Sequence, residues 1–114
     1  MGFQKAEALL QKAASGQVKG FISPLALFEM IIILGSKNPE IAVKNLAYTE
    51  KILGEIPINS ETTKRAAFNK IKNSEFFLSL ADWVIIQTAI DNNLTAVSAD
   101  KEWSKVKEAK VIVV

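Results

Sequence analysis

Apolar and polar positions along this chain follow two rhythms, and their alternation lays out the elements. Phe3, Ala6, Leu9, Leu10 and Ala13 recur at helical spacing and predict a helix over Phe3–Ala14, closed by Ser15-Gly16. Lys19–Ile22 predicts a short strand. Ser23 as N-cap and Pro24 at the first helical position then open a helix over Leu25–Leu34, stopped by Gly35. That helix is apolar nearly all round, which predicts burial, and its one charged residue is Glu29. Asn38-Pro39 opens the next helix, Glu40–Leu53, with Ile41, Leu46, Ile52 and Leu53 as core candidates and Gly54 as its end. Glu55–Ile58 reads as a strand. Ser60 caps a helix over Glu61–Lys72, and Asn73–Ser79 connects it to the next helix.

The rest of the chain is organised by the stretch from Leu78 to Asp100. Its first part is an amphipathic helix whose apolar face carries Ile85, Ile86 and Ala89, with Asp82 on that face one turn earlier and Asp91 on the opposite side. Asn92-Asn93 breaks the helix, Leu94–Ser98 predicts a strand, and Asp100 lies just past its end. A short helix over Glu102–Lys107 and a last strand over Lys110–Val114 complete the pattern. Short strands alternating with helices predict an α/β protein: a three-layer α/β/α arrangement around a short parallel sheet of about four strands.

Length and composition narrow the chemistry. At 114 residues the expectation is a single domain spanning the chain. With no Cys, disulfides and thiolate metal sites are excluded. With no His, the usual general base and the commonest zinc ligand are missing as well. A metal here is therefore a hard ion held by oxygen ligands, such as Mg²⁺ or Mn²⁺. The net charge of +2 permits a polyanionic partner without arguing for one. No signal peptide and no apolar run long enough to span a bilayer is present, so the expectation is a cytoplasmic protein with no membrane partner.

Three acids stand out. Glu29 lies among Leu25, Ala26, Ile32 and Ile33, where an ionised carboxylate needs a partner, hydrogen bonds or a metal. A buried ion pair or a place at the rim of the core are the bland alternatives. Asp82 fits a capping box with Ser79, and Asp100 fits an N-cap, so each has a purely local role open to it. Taken together, carboxylates at helix starts and strand ends of an α/β pattern could meet at one sheet edge. Three such groups without a cation repel one another, so Glu29→Gln is expected to stabilise the metal-free protein. Lys64, Arg65, Lys70 and Lys72 share one helix and read either as a solvated face or as RNA phosphate contacts. Trp83 and Trp103 read as core or rim aromatics. No glycine-rich phosphate loop is present.

Two segments resemble a known family. ISPLALFEMIIIL resembles the segment of PIN domains in which a Glu follows a Ser-Pro helix start. LSLADWVIIQTAIDNNLTAVSADKEW resembles the C-terminal half of that family, where an Asp opens a helix and a strand leads into Ser/Thr-x-Asp. The nearest relatives in style are the small VapC toxins of toxin–antitoxin pairs. The resemblance implies a metal-dependent endoribonuclease, a hydrolase, with Glu29, Asp82 and Asp100 as catalytic and metal-holding acids and Ser98 in support. It implies Mg²⁺ or Mn²⁺ as cofactor, RNA as substrate and an antitoxin protein as partner. A non-catalytic PIN-like module binding RNA or protein is the alternative, and a third reading drops the family and leaves the acids as caps and ion pairs.

The sequence departs from the family pattern at its start. PIN domains begin with a strand ending in Asp-Thr/Ser-Asn, whereas no Asp precedes Asp82 here and the chain opens on its first helix. The resemblance then implies a late start or a natural remnant without the central strand. The corresponding expectation is a rearranged or homo-oligomeric fold with impaired metal binding and cleavage.

Overall fold

The structure is a computed structural model and describes residues 2–114. The chain divides into two compact units, Glu7–Pro57 and Ile58–Val114, the second including the start of the first helix as far as Ala6. The architecture is mixed α/β: five α-helices, one 3₁₀ turn and four short strands among the described residues. The strands form two separate parallel pairs rather than one continuous ladder.

Helix α1 (Gly2–Ala14) ends as the sequence predicts. Gly16 takes φ +80, and the N–H groups of Gly16 and Gln17 donate to Ala13 O and Lys12 O at 3.1 and 2.9 Å. This closure of the last turn needs a left-handed residue, which glycine supplies without a Cβ penalty.

In the Glu7–Pro57 unit, β1 (Gly20–Ile22) pairs with β2 (Leu53–Glu55) in the register Phe21↔Gly54. Between them run α2 (Pro24–Gly35) and α3 (Pro39–Ile52). Both helices start where their caps place them: the Ser23 hydroxyl accepts the Leu25 N–H at 3.2 Å, and Asn38 Oδ1 accepts the Glu40 N–H at 3.0 Å. The α3/β2 boundary differs from the expected one. Leu53 is already extended (φ −120, ψ 138), and Gly54 lies inside the strand instead of ending the helix. The reason is close packing: a Cβ on Gly54 would meet the Phe21 ring at 3.0 Å.

Two burial expectations fail in this unit. Helix α2 buries only Leu27 and leaves Phe28, Ile32 and Ile33 more than half exposed, at 63, 53 and 58%. Within the unit α2 packs on α3, which covers one side of it; an all-apolar helix buries only the sides its neighbours reach. Glu29 is exposed with that outer side, so it is not a carboxylate sunk in an apolar environment. On α3 the residue that is buried is Ala42, and Ile41 is exposed.

In the Ile58–Val114 unit, α4 (Ser60–Lys72) and α5 (Leu80–Asp91) pack on each other, and β3 (Thr95–Ser98) pairs in parallel with β4 (Lys110–Val113). The N-cap of α4 is Asn59, one residue before the expected Ser60, with its Oδ1 accepting the Thr62 N–H at 2.8 Å. Helix α5 ends in the same closure as α1, with Asn93 left-handed at φ 53 and the Leu94 N–H donating to Ala89 O at 2.8 Å. The core gathers Ala66, Leu78, Trp83, Ile86, Ala89, Ala96, Trp103 and Val106. Trp83, Ile86 and Val106 are almost wholly removed from water, and each such side chain contributes roughly 1.5–3 kcal/mol of transfer free energy. Trp83 stacks on Phe76 with ring centroids 6.4 Å apart, so both tryptophans are core aromatics, as their sequence setting indicates.

Candidate functional site

Asp82 sits at the third position of α5, where Ser79 fixes it. Its backbone N–H donates to Ser79 Oγ at 3.0 Å, and its Oδ2 accepts the Ser79 N–H at 3.0 Å. This is the capping box read from the sequence. It engages one carboxylate oxygen and leaves Oδ1 with no protein donor among the described residues.

Asp100 is built the same way at the end of β3. Its Oδ1 accepts the Glu102 N–H at 2.9 Å and caps the 3₁₀ turn Lys101–Lys105, leaving Oδ2 without a protein donor among the described residues. Ser98 shapes that turn from behind: its Oγ accepts the Asp100 N–H at 3.0 Å, so it orients the backbone that carries the acid. Asp82 is half-buried and Asp100 exposed.

Two other acids of this unit are committed elsewhere. Glu102 receives Lys105 Nζ on Oε1 at 2.8 Å and the Phe77 N–H on Oε2 at 3.4 Å. The Lys105 hydrogen bond, opposed by desolvation and helped by the Phe77 N–H, holds its carboxyl below the usual range. Asp91 is the more telling case. Its Oδ2 accepts Thr62 Oγ1 at 2.6 Å and Arg65 Nη2 at 2.7 Å, while its Oδ1 accepts Gln87 Nε2 at 2.9 Å. Arg65 Nε reaches both oxygens at 3.2 Å. Chiefly through the Arg65 hydrogen bond, with desolvation opposing and Thr62 and Gln87 helping, the Asp91 carboxyl is lowered to about 2. No lone pair of Asp91 is left for a metal.

The lysines and the arginine of α4 therefore separate. Arg65 is spent on Asp91, and that pairing raises its own pKa. Lys64 lies 3.5 Å from Glu61, with both side chains about two-thirds exposed, at 65 and 68%. Lys72 is exposed and Lys70 half-buried. The Asp91–Arg65 pair was missed by reading the sequence. Its signal was there: a carboxylate in the last turn of a helix opposes the helix dipole and calls for a cation.

Glu29 belongs to the Glu7–Pro57 unit, at the middle of α2, with no ion pair or side-chain hydrogen bond among the described residues. Within neither unit do three acidic side chains gather closely enough to hold a metal among the described residues. The donor chemistry does fit a hard divalent ion. Asp82 and Asp100 each keep one oxygen free, and the chain has neither Cys nor His to favour a softer ion.

A sequence model of the PIN domain matches residues 2–109. The chain belongs to the PIN domain family. PIN domains are in general divalent-metal-dependent nucleases that act on nucleic acid, and a nuclease-like function is implied at that level. A search of curated proteins finds no match. The mixed α/β architecture with short parallel sheets is that of a PIN domain. Among its described residues no helix is long and apolar enough to cross a membrane.

Proposed function

We propose that this chain is a single PIN domain acting as an endoribonuclease of the VapC toxin type, with Glu29, Asp82 and Asp100 as its acidic site and Mg²⁺ or Mn²⁺ as its ion. The observation that carries the reading is the shared build of Asp82 and Asp100. Each is fixed through one oxygen by a backbone N–H and keeps the other free, so each is oriented without being neutralised. A bound divalent ion would supply a water of lowered pKa and stabilise charge on the scissile phosphate. The residues supply position: Ser79 sets the rotamer of Asp82, and Ser98 sets the turn that presents Asp100. RNA is the substrate in this reading, an antitoxin protein the regulatory partner, a homo-oligomer the assembly and the cytoplasm the setting.

A second reading, a non-catalytic PIN module that binds RNA or protein, draws on the absence of a three-acid cluster within either unit among the described residues. Cleavage of a structured RNA separates the two. The ribonuclease reading expects Mn²⁺-dependent cleavage that Asp82→Asn and Asp100→Asn abolish. Cleavage unaffected by either substitution, or none at saturating Mn²⁺, would sink it.

A further inference from the structure

Helix α4 buries polar groups and exposes large apolar ones. Beside Ala66, 2% exposed and part of the core, the side it turns to α5 carries Thr62, 3% exposed and bonded to Asp91, and Asn69, bonded to Gln87, which is itself 4% exposed. The opposite side carries Phe68 and Ile71, exposed by 66 and 70%. Exposed apolar side chains on a helix that already buries polar ones call for an explanation beyond the fold.

Lys64 and Lys72 stand four residues before and after Phe68. At about 1.5 Å rise per residue, the three side chains succeed one another along one line at intervals of roughly 6 Å. Two acids lie three residues outside these lysines, Glu61 and Glu75. Glu61 holds Lys64 only at 3.5 Å in a water-exposed pair, a contact of the kind an anion readily displaces, and Lys72 is in no ion pair among the described residues.

We propose that this outer face of α4 is a track for single-stranded RNA. A base stacks on the Phe68 ring beside Ile71, and the flanking phosphates rest on Lys64 and Lys72. Every base offers a π-face, so such a track reads a strand without reading its sequence. The charge on the face decides against a protein occupant. Lysine is depleted from the centres of protein interfaces, whereas here it brackets the aromatic. Of the four basic residues on α4, this assigns Lys64 and Lys72 to RNA, leaves Arg65 to Asp91, and adds Phe68. The proposal rests on the reading of the chain as an RNA-acting protein, and it concerns how the strand is held rather than how it is cut.

The test measures binding of a fluorescein-labelled oligouridylate to the full chain in excess EDTA, so that no cutting intervenes, over a range of salt. Phe68→Ala is expected to weaken binding roughly tenfold, and Phe68→Trp to retain it. Lys64→Gln and Lys72→Gln are each expected to lower the slope of log affinity against log salt by about 0.7. Wild-type-like binding by Phe68→Ala, or no binding by the wild type, overturns the proposal. So does a Phe68→Ala variant that binds normally but self-associates less in sedimentation, which would make the face a contact between copies. Mn²⁺-dependent cleavage is measured in parallel. Phe68-dependent binding without cleavage removes the ribonuclease reading and keeps the track; cleavage with Phe68-independent binding does the reverse.

Discussion

Arg65 donates from both Nε and Nη2 to the Asp91 carboxylate, 26 residues away, and the two groups fasten α4 to the C-terminal end of α5. Asp91 needs this partner because a negative charge in the last turn of a helix faces the negative end of the dipole. Its side chain is only 16% exposed, so removing the charge disturbs a partly desolvated network. Asp91→Asn is expected to destabilise the protein by about 1–2 kcal/mol in urea unfolding.

The same pair sets an acid limit. A carboxyl lowered from 3.8 to about 2 on folding stabilises the native state at pH values above its unfolded pKa. That contribution is lost as pH falls through the window between those two values, because the unfolded chain takes up the proton first. Thermal melts between pH 5 and about 2 should show a steeper decline for wild type than for Asp91→Asn. Parallel declines would mean that Asp91 is not the group that titrates.

Trp83 carries a buried indole N–H with no acceptor among the described residues. Such a donor costs about 1–3 kcal/mol, an amount that Phe at the same position does not incur. Trp83→Phe keeps an aromatic ring against Phe76 and is expected to stay within about 1 kcal/mol of wild type, smaller volume offsetting the relieved donor. Trp83→Ala is expected to lose about 3–5 kcal/mol. Equal losses for both would show that the indole contributes stability that a Phe ring does not replace.

Capping and metal holding by Asp82 can be separated. Ser79→Ala removes the acceptor for the Asp82 N–H and is expected to cost about 1 kcal/mol. Asp82→Asn keeps an oxygen for the Ser79 N–H, so its melting temperature should stay near wild type while Mn²⁺ affinity, read by calorimetry, collapses. For Glu29→Gln the stabilisation expected from crowded carboxylates gives way to a change within about 0.5 kcal/mol, because Glu29 is exposed and unpaired within its own unit among the described residues. Retained Mn²⁺ affinity in Asp82→Asn would leave Asp82 as a cap alone.

What the sequence makes legible is local. Ser23, Ser79 and Asp100 act within three residues of themselves, and each caps the element it was expected to cap, while Asn38, read as part of a turn, caps the helix that the turn opens. Ile86 and Ala89 fall on the buried side of α5 as their spacing requires, while Ile85, expected on the same face, is only half-buried and Gln87 and Thr88 are buried beside them. What escaped is tertiary. Gly54 looks like a helix stop until Phe21 is seen packed against it. The apolar composition of α2 does not reveal how little surface its neighbour offers. Arg65 looks like one of four equivalent cations until Asp91 claims it. The free oxygens of Asp82 and Asp100 were foreseeable as placements, since cap positions are sequence signals, but which oxygen stays free is settled only by the folded geometry.

The separation of the strands into two parallel pairs leaves a signature in solvent. In a parallel pair, alternate residues turn their N–H and C=O groups to opposite sides of the strand. Ser98 O accepts the Val114 N–H at 2.9 Å and Ile22 O accepts the Ile56 N–H at 3.2 Å, so Ala96 and Ser98 turn to β4, and Gly20 and Ile22 to β2. Val97 and Phe21 turn the other way, where their own units supply no strand. Deuterium should therefore enter these strands in a comb, fast at Val97 and Phe21 and slow at the residues on either side. The teeth of that comb are donors held ready in an extended backbone, and any chain that satisfied them would announce itself by closing those gaps first.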